Sequence, residues 1–127
     1  MSRTAGLTDQ APQPAGPYSQ SVRIGGIVAA AGQVGSTADG TVLDGVGPQT
    51  RQALANVAAV LKASGAGLDD VLAVRVFLTD VSQFDEMNAV YADVFDEPYP
   101  TRTTVYVGLP DGLLVEIDAL AVVGTAS

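Results

Sequence analysis

Cysteine and histidine are both missing from this 127-residue chain, and each absence closes a route to chemistry. Without cysteine there is no disulfide and no thiolate nucleophile. Without histidine there is no Ser-His-Asp triad, and a zinc site of the usual nitrogen and sulfur kind has no ligands. Basic side chains are scarce as well: 6 Lys and Arg stand against 14 Asp and Glu, a net charge of -8 at pH 7. A partner bound through neutralised phosphates is therefore disfavoured, and nucleic acid is a poor default ligand. No apolar run approaches the roughly 20 residues that cross a bilayer, so no membrane span is expected. Chemistry falls to Arg, Glu, Asp, Tyr, Ser, Thr, backbone groups and water.

What is present is a composition that folds: 47% hydrophobic and 16% charged, at a length that makes one domain and hides roughly two-thirds of the unfolded chain's surface. Met1 to Ala15 is polar and punctuated by proline, with Arg3 but no apolar stretch behind it, so it does not read as a secretory signal. The expected organisation is a flexible segment over residues 1–14 and a single domain over 15–127. A cytoplasmic location is the simplest reading, and the lack of cysteine agrees with it.

Along the chain, Ser21 to Ile24 and Ile27 to Ala31 are short apolar runs joined by Gly25-Gly26, which predicts a β-hairpin. Gly32 to Gly47 has the composition of a long loop, with a short strand expected at Thr41 to Leu43. Leu54, Val57, Ala58 and Leu61 recur at helical spacing behind Pro48, predicting a helix from Pro48 to Ser64 closed by Gly65. Val71 to Leu78 reads as a strand with Leu72, Val74, Val76 and Leu78 on one buried face. Ser82 and Asp85 have the form of an N-cap pair, and Phe84, Met87, Tyr91, Val94 and Phe95 form an apolar stripe, predicting a second helix from Ser82 to Phe95. Pro98 and Pro100 end it and hold an extended linker to Arg102. Two strands follow, Thr103 to Val107 and Leu113 to Val123. This order predicts an α+β fold: a two-layer sandwich of one mixed sheet with both helices on one face. The other face is apolar enough that burial against a neighbouring subunit is expected.

If the last two strands close as a hairpin about Pro110, Thr104 lies opposite Glu116, and Arg102 and Glu116 become diagonal neighbours on one face. That pair has two readings. In one, the Arg102 fork binds a small carboxylate while Glu116 holds a water or accepts a proton; in the other, it is an ordinary cross-strand ion pair. The position of Arg102 after a Pro-bounded linker, at an element's edge, favours the first. Asn88 reads as a satisfied helix amide or a ligand contact, Tyr18 as a core plug or a pocket wall, and Gly32 as a turn glycine or a backbone donor. Arg75 points away from the apolar face of its strand, toward solvent or another subunit.

Gly16-Pro17-Tyr18-Ser19-Gln20, Ala31-Gly32-Gln33, Gln49-Thr50-Arg51-Gln52 with Leu54 and Asn56, Val76-Phe77-Leu78-Thr79-Asp80, Asn88 with Tyr91, Pro100-Thr101-Arg102-Thr103, and Leu109-Pro110 with Val115-Glu116-Ile117 together resemble the RidA/YjgF family from about Ala15 onward. The resemblance implies a chorismate-mutase-like fold and a homotrimer with ligand clefts at its subunit interfaces. It further implies hydrolytic deamination of reactive imino and enamino acids, with no metal or organic cofactor. By motif, Arg102 resembles the arginine that clamps the substrate carboxylate and Glu116 the acid that positions water; Tyr18, Ala31, Gly32, Asn88 and Thr104 fall at pocket positions. Ala31 stands where many members have Ser, Thr104 where many have Cys, and Val105 to Pro110 is one residue shorter than in many relatives. A non-catalytic binder of small carboxylates is the alternative, and the -8 charge argues against a ribonuclease role.

Overall fold

The computed structural model describes residues 2–124; Met1, at the start of the segment expected to be flexible, and residues 125–127, at the end of the expected domain, lie outside the described residues. The elements run β1 (Thr4–Gly6), β2 (Ser21–Ile24), β3 (Ile27–Val34), α1 (Val46–Ala63), β4 (Val71–Leu78), α2 (Phe84–Val94), β5 (Thr101–Tyr106) and β6 (Val115–Val122). The strands form one sheet in the order β1-β2-β3-β6-β4-β5, with β4 and β5 parallel and every other neighbour antiparallel. Both helices lie on one face, as the order of elements predicts. Between the layers sit Val28, Leu54, Val57, Leu61, Val76, Leu78, Met87 and Ile117, all buried completely. Each such side chain contributes roughly 1.5–3 kcal/mol by leaving water.

The β2–β3 hairpin forms as expected, with Gly25 at φ 58° in its turn. The helix α1 begins two residues before Pro48. Gly45 accepts the first helical hydrogen bond, from the Gln49 N–H at 3.1 Å, and proline is tolerated in the first turn because N–H groups there have no intrahelical acceptor. Gly45 has no side chain to cap with, and the Glu86 carboxylate of α2 accepts from the Gly47 N–H at 2.9 Å instead. At the far end Gly65 adopts φ 85°, and the Ala66 and Gly65 N–H groups bond back to the Leu61 and Lys62 carbonyls. That is a Schellman closure, which a glycine at this position makes accessible.

Several expectations are corrected. The segment expected to be flexible supplies β1, the edge strand on β2; Ala11 is buried, and the Gln20 amide exchanges bonds with both backbone groups of Thr8. The strand expected at Thr41 to Leu43 is a single bridge, Ser36 to Val42. Leu72 is 58% exposed because the β4–β6 register shifts between Val71 and Ala73, lifting it off the buried face. A short 3-10 turn, Val81–Gln83, precedes α2, and its cap is Asp80, which accepts from the Ser82 N–H; the Ser82 and Asp85 pair does not cap. Most consequentially, β5 and β6 are not a hairpin. β6 inserts between β3 and β4, while β5 pairs parallel to β4 after the α2 crossover.

Candidate functional site

β5 is the edge strand beyond β4, and its alternation sends Arg102 and Thr104 toward the helices. Arg102 is in register with Val74 and Thr104 with Val76, both core residues. α2 meets them there with Phe84, Asn88 and Tyr91, which recur four and three residues apart and so share a helix face. The Arg102 Cζ stands 4.7 Å from the Tyr91 ring centroid and 5.6 Å from that of Phe84. Two electron-rich ring faces hold the guanidinium. Arg51 and Arg75 are ion-paired with Asp93 and Asp118, whereas among the described residues Arg102 has neither a carboxylate partner nor a protein acceptor for its N–H groups. It is a half-buried cation, held by stacking, with its hydrogen-bonding fork uncommitted.

A cleft of about 470 Å3 opens at this point, lined by Asn88, Tyr91, Ala92, Tyr99, Pro100 and Arg102. Asn88 is exposed on its wall, and among the described residues its amide has no hydrogen-bond partner, so the satisfied-amide reading does not hold. Tyr91 is 4% exposed, and among the described residues its hydroxyl has no hydrogen-bond partner. Burial pushes its pKa up, against an opposing pull from the Arg102 charge. Phe84, Tyr91 and Tyr99 join the site only through the fold; the spacing that puts Phe84, Asn88 and Tyr91 on one helix face is the signal the sequence carries for the first two.

Glu116 belongs to the opposite face. It is in register with Phe77 of β4 and Val34 of β3, on the side away from the helices, two residues from Asp118. Burial raises its pKa, and the neighbouring Asp118 charge adds in the same direction. Gly32 lies directly beside it, in the irregular part of β3 where the register shifts between Ala30 and Gln33. Ala31, half-buried, donates its N–H to the Gln20 carbonyl at 2.9 Å. Tyr18 is 53% exposed in the stretch before β2, its hydroxyl accepting from the Ala15 N–H at 3.1 Å, so it is not a core plug.

The expected diagonal contact between Arg102 and Glu116 is therefore absent. β4 lies between their strands, and the two positions are offset by the three residues from Val74 to Phe77. That is roughly 10 Å across the sheet and roughly 10 Å along it, before passing to the other face. The short segment after Val105 does not govern Glu116 either, because β3 and β4 on both sides fix its register. The candidate residues fall into two groups: Arg102, Thr104 and Asn88 on the helix side, and Glu116, Gly32 and Ala31 on the open side.

Fold and geometry together define a class: a small α+β domain presenting an uncommitted arginine in an aromatic cleft, an arrangement whose planar fork has the geometry to pair with a carboxylate. Among the described residues no group of three or more carboxylates is placed to hold a metal ion, and no helix is long and apolar enough to cross a membrane. The family model described as Endoribonuclease L-PSP matches residues 8–123. A RutC family protein of Pyrococcus horikoshii is 44% identical over 122 residues, spanning 91% of this chain and 94% of its own. A 2-iminobutanoate/2-iminopropanoate deaminase of Dermatophagoides farinae is 39% identical over 119 residues, covering 91% and 93%. The crystal structure of E. coli TdcF with bound serine superposes with a TM-score of 0.90 at 37% identity, covering 95% of this chain and 99% of that one. The chain belongs to the RidA/YjgF family.

Proposed function

We propose that the protein hydrolyses small 2-imino and 2-enamino acids, of the 2-iminopropanoate and 2-aminoacrylate type, to 2-keto acids and ammonia. The observation that carries this reading is the uncommitted Arg102 guanidinium stacked on Tyr91 and Phe84 beside the exposed Asn88 amide. A flat cation with a free fork matches a carboxylate in two parallel hydrogen bonds. The adjacent imine carbon is already electrophilic, so holding the carboxylate and orienting a water supplies much of what the reaction needs. Glu116, ionised, accepts a proton from that water as its oxygen bonds to carbon. That proton passes to the nitrogen to give a carbinolamine; the hydroxyl proton then follows it to nitrogen as the C–O bond becomes a carbonyl and the C–N bond breaks, so ammonia leaves with the keto acid behind. An enamine tautomerises to the imine first. Tyr18, Ala31 and Thr104 complete the pocket walls, and Gly32 lies beside the Glu116 carboxylate.

Because Arg102 and Glu116 face opposite sides of one sheet, the site in this reading is built between chains, Arg102 from one and Glu116 from the next. The open face also carries exposed Ile24, Ile27, Leu120 and Val122, an apolar patch that a cytoplasmic homotrimer would cover. The name of the D. farinae relative supports the activity. Ribonuclease action is disfavoured, since only 6 Lys and Arg serve the whole chain and two of the arginines are already ion-paired.

Keto-acid and ammonia release from imines generated in situ tests the proposal. The wild-type protein accelerates release, and Arg102→Ala lowers kcat/KM by roughly 100-fold or more through loss of a charge-assisted bidentate contact. Equal rates for both proteins would remove it. The serine bound to TdcF favours a second reading, a regulatory binder of small carboxylates without turnover, for which saturable binding with no release is the expected result.

A further inference from the structure

We propose that Gly32 is a positioning residue: the side chain it lacks is the space in which the Glu116 carboxylate is held. A Cβ built on Gly32 would stand 2.5 Å from Glu116 Oε2, 2.9 Å from its Cδ and 3.1 Å from its Cγ. Cβ atoms do not approach other groups so closely, and the end of the glutamate side chain would have to move. Neither backbone geometry nor core packing demands glycine at this position. Gly32 is not among the glycines with positive φ, which are Gly25, Gly40, Gly45, Gly65 and Gly112, so an L-residue meets no backbone strain there. It is also exposed, unlike buried Gly35, whose Cβ would collide with the Cβ and Cα of Gln49.

The sheet itself brings the two together. Between the pairs Ala30 with Ala119 and Gln33 with Ile117, β3 advances three residues while β6 advances two. The extra residue is a β-bulge, a device that re-aims side chains. Here it lays the bare Gly32 backbone alongside the carboxylate. With the atoms around Glu116 supplied by a glycine, the carboxylate folds back against β3, where burial raises its pKa. The assignment rests on the reading that Glu116 activates water, and it gives Gly32 a steric role distinct from contact with substrate.

The test is Gly32→Ala in the full-length protein. We expect kcat for imine hydrolysis to fall by about tenfold or more, since a displaced general base loses much of a 100-fold or larger contribution. KM should stay within about twofold, because in this reading the substrate carboxylate is held by Arg102 of the neighbouring chain, which the substitution does not displace. The thermal midpoint should hold or rise slightly, since alanine narrows the unfolded ensemble. In a Glu116→Ala background the same glycine change should leave the residual rate unaltered, because nothing remains to displace. A crystal structure of Gly32→Ala should show the Glu116 carboxylate moved by about 1 Å or more relative to wild type, the shift needed to restore ordinary van der Waals distance. Wild-type kcat in Gly32→Ala, an equal loss in both backgrounds, or an unmoved carboxylate would each overturn the assignment. Should the wild-type protein fail to turn over imines at all, the deaminase reading fails by itself. The carboxylate displacement then decides the steric role alone.

Discussion

At the scale of single residues, the informative contrast is between two charges with opposite histories. Among the described residues Arg102 has no acidic partner in its cleft, its charge facing aromatic rings at 4.7 and 5.6 Å, and that leaves its donors for a ligand. A lysine would bring the same charge without the planar stack or the fork, so Arg102→Lys is not conservative here. Glu116 is held above the usual carboxylate range first by burial and then by Asp118. If ionised Glu116 is the base, the acidic limb of kcat/KM lies at a higher pH than an exposed glutamate would give. Asp118→Asn removes the like charge and also frees Arg75, which now pairs with Asp118 at 2.6 Å. Both changes favour ionised Glu116, so the limb should move to lower pH; a limb that stays put or rises would exclude Glu116 as the titrating group. For stability the sign is opposite. Ionising Glu116 costs more in the fold than in the unfolded chain, so its favourable contribution is present at acid pH and is lost as pH rises through the raised value.

At the scale of elements, one buried amide ties together segments that no strand pairing joins. Gln49, 1% exposed in the first turns of α1, donates to the Leu43 and Gly112 carbonyls at 2.9 and 2.8 Å and accepts from the Leu114 N–H at 2.9 Å. Replacing it with leucine keeps the volume and orphans three backbone groups, so urea unfolding should show a loss of about 3 kcal/mol or more; a loss under about 1 kcal/mol would mean water replaces the amide. The sequence made both helices, the β2–β3 hairpin and β4 legible, because apolar periodicity and the glycines at residues 25 and 65 are local signals. It did not reveal the neighbours of β5. The segment between Tyr106 and Val115 is longer than the two to five residues usual in a hairpin, and a strand-helix-strand run from β4 to β5 permits a parallel crossover. Nothing within either strand chooses between those outcomes; the order β6-β4-β5 is decided by burying Val115, Ile117 and Ala119 at the sheet's centre. The same choice separates Arg102 from Glu116. Both residues could be named from sequence, but their placement on opposite faces could not.

At the scale of the whole molecule, that separation turns a question about mechanism into one about assembly. A sheet with α1 and α2 on one side leaves Ile27 and Val122, paired in register, exposed on the other at 54% and 45%, together with Glu116, Gly32 and the Arg75–Asp118 pair. If each site takes Arg102 from one chain and Glu116 from its neighbour, the inactive variants Arg102→Ala and Glu116→Ala are complementary. Unfolded together in equal amounts and refolded, they should assemble at random, and a given interface receives both intact residues only when the first chain is the Glu116 variant and the second the Arg102 variant. Activity should therefore return to about a quarter of the wild-type value per site, whether or not every trimer contains an intact site. Each variant refolded alone should stay inactive, and dilution below the point at which the trimer dissociates should abolish the recovered activity. A site contained in one chain predicts no recovery at any mixing ratio, since every chain then carries a defect. The mixing curve also reports how the residues are shared: dependence on the product of the two variant fractions, with its maximum at equal amounts, is the signature of one residue from each of two chains.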